Sequence, residues 1–248
     1  MDGLLWILVL GAGLAGFVQG VSGSNFGLVA MAVWAWVLEP ALTGPLVVCG
    51  SLTGQLLAAG ALRRIFVARH LLPMVGGGLV GAPMGILLLQ QVDPAQFRLG
   101  VGLLLALWCP FMLLSGEQRP RIRRGGHVAD AGVGVLGGIL GGLGGLTGPA
   151  PALWATLRGW ERDTQRAVIQ GFNLAMQALL MVAYLASGTI GPEAFGLFPA
   201  VIAATLVPAL IGVRLYRRIS DLAFRRLVLG LLTVSGVILV SRSLPQLL

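Results

Sequence analysis

Six apolar runs, at about 44–62, 70–91, 96–114, 166–186, 194–215 and 222–241, each come near the length of a bilayer crossing. A membrane-spanning helix needs roughly 20 predominantly apolar residues. In hydrocarbon the backbone must satisfy its own N–H and C=O groups, so only helices and closed barrels cross. Runs this long lack the alternation of a barrel strand. The chain therefore reads as an all-α polytopic membrane protein, with the lipid bilayer as its solvent. Composition agrees: 10% of the 248 residues are charged and the mean hydropathy is +0.90. Soluble domains carry about 25% charged residues.

The net charge is +8, and every basic residue is arginine. The arginines collect in short links: Arg63, Arg64 and Arg69; Arg119 to Arg124; Arg217 and Arg218; Arg225 and Arg226. That placement is the positive-inside signal of a membrane protein. Nucleic-acid binding is set aside, because no soluble basic domain exists to carry it. The segment from Leu4 lacks a basic start and a cleavage site, and reads as retained.

Two stretches differ from the long runs. Gly16–Gly27 and Gly137–Gly148 are apolar but repeatedly interrupted by glycine. A shift of 121 residues carries Gly13, Gly16, Gly20, Gly23 and Gly27 onto Gly134, Gly137, Gly141, Gly144 and Gly148. Thr43 and Gly50 fall on Thr164 and Gly171; with a small drift, Pro83 meets Pro208 and Phe97-Arg98 meets Phe224-Arg225. Such ordered self-similarity marks an internal repeat. The expected units are residues 1–115, an inside-facing linker 116–128, and residues 129–248.

The arginine-rich linker and the 62–70 and 216–222 links are expected inside, with the links near 38–43, 91–95 and 187–193 outside. Residues 129–157 must then start and finish on the same side. Arms at 131–141 and 148–158 hold about 11 residues each, or roughly 16 Å of helix. They reach only the middle of a hydrocarbon core of roughly 30 Å. The expectation is two inverted repeats, each a Gly-broken re-entrant helical hairpin followed by three transmembrane helices. The first hairpin has a longer leading arm and is left open between re-entrant and fully crossing.

Glycines between 137 and 148 cover every helix face, so Gly20–Gly27 and Gly141–Gly148 are read as unwound turns. Small-residue packing is the competing reading. A helix that restarts after a break presents N–H groups and a positive dipole end, which suit an anion. The expected substrate-binding residues are Ser22, Gly23, Ser24 and Asn25 in the first turn and Gly144, Gly145, Thr147 and Gly148 in the second. Asn173 and Gln177 join them from the helix that follows. Gln19, Ser51, Thr53, Gln55 and Gln170 are further candidates, with inter-helix hydrogen bonding as the alternative role.

All nine acidic residues lie in or beside links, which argues against a cation pump. Any proton coupling would ride on the substrate. His70 and His127 read as solvated link residues, and Cys49 and Cys109 as small buried hydrophobes without a disulfide or metal. No Ser-His-Asp set, metal cluster or P-loop stands out, so no enzyme activity and no cofactor are expected.

At these residues the chain resembles the TauE/SafE, or sulfite exporter, family of membrane transporters. The resemblance rests on Gly16–Gly27 with Glu39-Pro40, on Gly137–Pro149 with Trp160-Glu161, and on Arg166 to Gln177. It implies a secondary transporter moving a small anion, a sulfur-containing oxyanion such as sulfite or an organosulfonate, across the cytoplasmic (inner) membrane by alternating access. Another small organic anion, or a non-transporting accessory membrane protein, stay open as alternatives.

Overall fold

The computed structural model describes residues 2–59, 68–114, 122, 125–215 and 221–246. Ten α-helices form among the described residues: α1 (Asp2–Ser22), α2 (Phe26–Trp34), α3 (Pro40–Ala59), α4 (Ala68–Leu89), α5 (Pro94–Leu114), α6 (Gly126–Gly144), α7 (Pro149–Arg158), α8 (Arg162–Ala186), α9 (Pro192–Leu215) and α10 (Asp221–Ser243). There is no strand among the described residues. All but α2 and α7 are long and apolar enough to cross a bilayer. The order long, short, long, long, long occurs twice. Arg63, Arg64, Arg119, Arg121, Arg123, Arg124, Arg217 and Arg218, on which the inside assignments rest, lie outside the described residues.

The first helix of each half packs against the fourth helix of the other: α1 on α9, and α6 on α4. Helix α5 packs on α10 and α3 on α8. Exchanging the halves maps this set of contacts onto itself. Glycine makes the two main contacts close. A methyl group on Gly77, Gly81 or Gly85 of α4 would strike the α6 carbonyl oxygens of Ala131, Val135 or Ile139. In return, Gly134, Gly138 and Gly142 of α6 lie on the backbone of Met74, Gly78 and Ala82. Lipid cannot drive helices together by the hydrophobic effect, so close van der Waals packing on small residues does it.

This overturns part of the glycine reading. The stretch up to Gly144 stays helical, because its glycines serve two packed faces. Gly134, Gly138 and Gly142 take α4, while Gly137 and Gly141 take Phe172, Thr147 and Leu180. Gly20 is likewise inside α1, against Ala209 of α9. The breaks shrink to 23–25 and 145–148. The leading arm α6 is accordingly 19 residues rather than about 11, and is long enough to cross by itself.

The second hairpin still returns to its start. Ile122 N–H donates to the Leu157 carbonyl at 2.9 Å, and Arg158 Nη1 to the Ile122 carbonyl at 3.4 Å. The return is possible because 145–148 runs back along α6, with Thr147 beside Gly141 and its carbonyl near Gly137. His70, Asp130 and Trp160 meet at the same end. At the other end Arg98 Nε donates to the Ala35 carbonyl at 3.1 Å, and Leu89 and Tyr184 both flank Gly44.

Candidate functional site

The two breaks touch. Gly27, in the first turn of α2, lies against the carbonyl oxygen of Gly145 and the side chain of Leu146. Helices α1 and α6 end at Ser22 and Gly144, and each is followed by a glycine at positive φ: Gly23 at 76° and Gly145 at 70°. These equivalent positions are 122 residues apart, one more than the glycine pattern gives. Gly23 therefore corresponds to Gly145, not Gly144.

A crevice opens at this junction, lined by both breaks together with Ser51 of α3 and Asn173 and Gln177 of α8. Its volume is about 10 Å³, enough for about one water. A four-atom anion does not fit a crevice of this size. Of the ten expected site residues, Asn25, Gly145, Thr147, Gly148, Asn173 and Gln177 line it. Ser22, Gly23, Ser24 and Gly144 do not. The Ser22 hydroxyl is taken up locally, within 2.7 Å of the Val18 carbonyl and 2.6 Å of the Ser24 carbonyl. Gly144 packs on Met31 and Phe97.

The polar groups are arranged in a chain. Thr147 Oγ1 donates to Asn173 Oδ1 at 2.8 Å. Gln177 Nε2 donates to the Gly145 carbonyl at 2.9 Å and approaches Thr147 Oγ1 at 3.3 Å. Asn173 thus has its oxygen occupied and its amide nitrogen 3.6 Å from the place of a Gly148 methyl. Gln177 Oε1 is buried without a partner.

Backbone donors differ from expectation. The N–H groups of Gly23 and Gly145 close the preceding helices, onto Gln19 O at 2.7 Å and Gly141 O at 2.6 Å. The start of α2 is the better donor. Its first internal bond runs from Val29 N–H to the Asn25 carbonyl. Phe26, Gly27 and Leu28, which all line the crevice, therefore have no intrahelical acceptor. In α7, Pro149 and Pro151 remove two of the corresponding donors.

The sequence reading missed Arg166. Its Nε lies 3.2 Å from where a Gly23 methyl would stand, and Gln170 Nε2 of the next turn donates to the Gly23 carbonyl at 3.2 Å. A guanidinium thus flanks the first break, where only neutral donors were expected. The signal was present: Arg166, Gln170, Asn173 and Gln177 are spaced four, three and four apart, which is one face of a helix. His70 and Asp130 also depart from expectation. Asp130 is 0% exposed and His70 pairs with it at 3.1 Å, while His127 is exposed as read.

Asn25 has φ 75°, the left-handed region, which asparagine tolerates better than most residues. Asn25→Gly removes the side chain without adding strain. If the Asn25 amide bonds the anion, this change weakens binding by roughly 1–3 kcal/mol, read as a rise in apparent KM for uptake. An unchanged KM would take Asn25 out of the site.

The family described as Sulfite exporter TauE/SafE matches residues 8–239, nearly the whole chain. No curated protein matches it, and no solved structure does. The match takes in both broken hairpins and all or most of each of the eight long apolar helices among the described residues, so the chain belongs to the TauE/SafE family of membrane exporters.

Proposed function

We propose that the protein is a secondary transporter of a small sulfur-containing oxyanion, such as sulfite or an organosulfonate, in the cytoplasmic (inner) membrane. The observation that carries this reading is the crevice where the two breaks meet. Three N–H groups at the start of α2 without an intrahelical acceptor and the Asn173 amide face it, and Arg166 stands near the first break. A helix start offers N–H groups and a positive dipole end to an anion. The substrate-binding residues on this reading are Asn25, Gly145, Thr147, Gly148, Asn173 and Gln177, with Ser22, Gly23, Ser24 and Gly144 shaping the turns.

Residues 1–115 and 129–248 are the two repeats, inverted about an axis in the membrane plane and joined by the linker 116–128. The exchange of packing partners between halves supports this. So does the gathering of His70, Ile122 and Trp160 at one end and of Ala35, Arg98 and Tyr184 at the other. Alternating access then rocks the repeats about a fixed central site. The topology is open to a direct check. In a background with Cys49 and Cys109 replaced by alanine, Val128→Cys should resist an impermeant thiol reagent added to sealed cells, and Gln91→Cys should react. Labelling of Val128→Cys from outside would end the inverted arrangement.

Uptake by reconstituted vesicles tests the function. A transporter takes up sulfite, an alkylsulfonate or another small anion saturably, and exchanges it one for one in counterflow. No flux with sulfur oxyanions, carboxylates or phosphate would favour an accessory role.

A further inference from the structure

Asp130 is a fully buried carboxylate within a membrane-embedded helix, 0% exposed. Such a group is costly in a membrane protein and normally has a task. Its two oxygens have separate partners. Oδ1 accepts from Trp154 Nε1 at 2.6 Å, and Oδ2 pairs with His70 Nδ1 at 3.1 Å. The His70 ring is in turn covered by Trp160, with centroids 4.6 Å apart. The pair therefore stands on α4 and α6, which glycine contacts bind closely, and holds one tryptophan from α7 and one from the α7–α8 turn. Helix α7 is the short arm whose start, at Gly148 and Pro149, lines the crevice.

Among the described residues the first half has no such pair. Trp34, the last residue of α2, has a buried Nε1 without a partner. A buried tryptophan on a short arm therefore does not need a carboxylate. Asp130 and His70 together require another explanation.

We propose that His70 and Asp130 form a proton-binding site that couples proton binding to movement of α7, and through it to anion transport. This rests on the transport reading above, and replaces the expectation that protons ride only on the substrate. With the proton bound, imidazolium faces carboxylate and the pair is net neutral. With the proton released, Asp130 is a buried charge without an imidazolium against it, and Trp160 loses a cation against its ring. The contacts holding α7 to the α4–α6 pair thus depend on one proton. Among the described residues, the other charged or titratable side chains carried by these elements near this end are Arg69 on α4, His127 on α6, Arg158 on α7, Glu161 at the turn, and Asp163 and Arg166 on α8. Arg158 lies over the Trp154 ring, 5.6 Å from its centroid.

Two measurements test this. The first needs no transport: tryptophan emission of the purified protein is titrated with pH. A one-proton transition is expected in the unaltered protein and in His127→Gln, and its loss in His70→Gln and in Asp130→Asn. Asparagine keeps an oxygen for Trp154 and an amide for His70, so folding should survive. A flat titration of the unaltered protein, or a transition that persists in His70→Gln, overturns the proposal. The second uses vesicles and methanesulfonate, which stays ionised throughout the range and carries no proton. A gradient of one pH unit should accumulate it about tenfold for each coupled proton. Asp130→Asn should keep counterflow and lose the accumulation. Accumulation equal to that of the unaltered protein overturns the coupling. Absence of all anion flux in the unaltered protein would instead refute the transport reading, and the emission titration would still decide whether the proton site exists.

Discussion

Gly77→Ala should destabilise the protein severely, while Gly76→Ala, one residue away, should leave it unchanged. The two glycines share a helix but face different surroundings. A methyl on Gly76 meets nothing within 4 Å, whereas one on Gly77 collides with the Ala131 carbonyl oxygen and comes within 2.8 Å of its carbon and 3.0 Å of Val135 N. Those are backbone atoms of α6 and cannot rotate away. The two helices must separate along their length, and the neighbouring contacts at Gly81 and Gly85 loosen with them. Overpacking of this kind costs about 3 kcal/mol at the upper end of its usual range. For a chain of this size that is a drop in melting temperature of about 6–12 °C, measurable by a thermal scan in detergent. Equal melting of the two variants would contradict the close α4–α6 contact.

Gly145→Ala should leave the helical bundle assembled and remove most transport. Gly145 sits at φ 70°, in the left-handed region, where a side chain costs roughly 1–2 kcal/mol. Its added carbon would also lie 2.6 Å from Val47 Cγ1 and 3.3 Å from Val48 Cγ2 of α3. The break must then shift away from α3, carrying the Gly145 carbonyl off Gln177 Nε2 and changing the crevice on both sides. A displacement worth 1–3 kcal/mol in binding is a fall of roughly 5- to 150-fold in transport efficiency. Gly144→Ala is the control. Gly144 is helical, and its added methyl meets first the flexible end of Met31. Uptake by Gly145→Ala at the rate of Gly144→Ala, at matched expression, would move the site elsewhere.

Much of the candidate site was legible. Asn25, Thr147, Gly148, Asn173 and Gln177 follow from looking for polar residues beside interrupted helices. Ser22 and Ser24 stand off the crevice, and the Ser22 hydroxyl is taken by the Val18 and Ser24 carbonyls of its own turn. Arg166 was overlooked because arginine was read only as a topology signal. Its place on the same α8 face as Gln170 was a local clue to the contrary.

The sequence by itself determined the solvent, the all-α class and the twofold order of elements. Those depend on hydropathy over some 20 residues and on repeated spacing, both of which are local properties of the chain. Which glycines break a helix and which pack was decided only by tertiary structure. Gly142 and Gly145 are equally free of a side chain, and differ because α4 covers one and the chain turns at the other. The same holds for Asp130: it looks like a link residue until His70 and Trp154, 60 and 24 residues away, close over it. Burial is a property of neighbours distant in sequence, and no local pattern carries it.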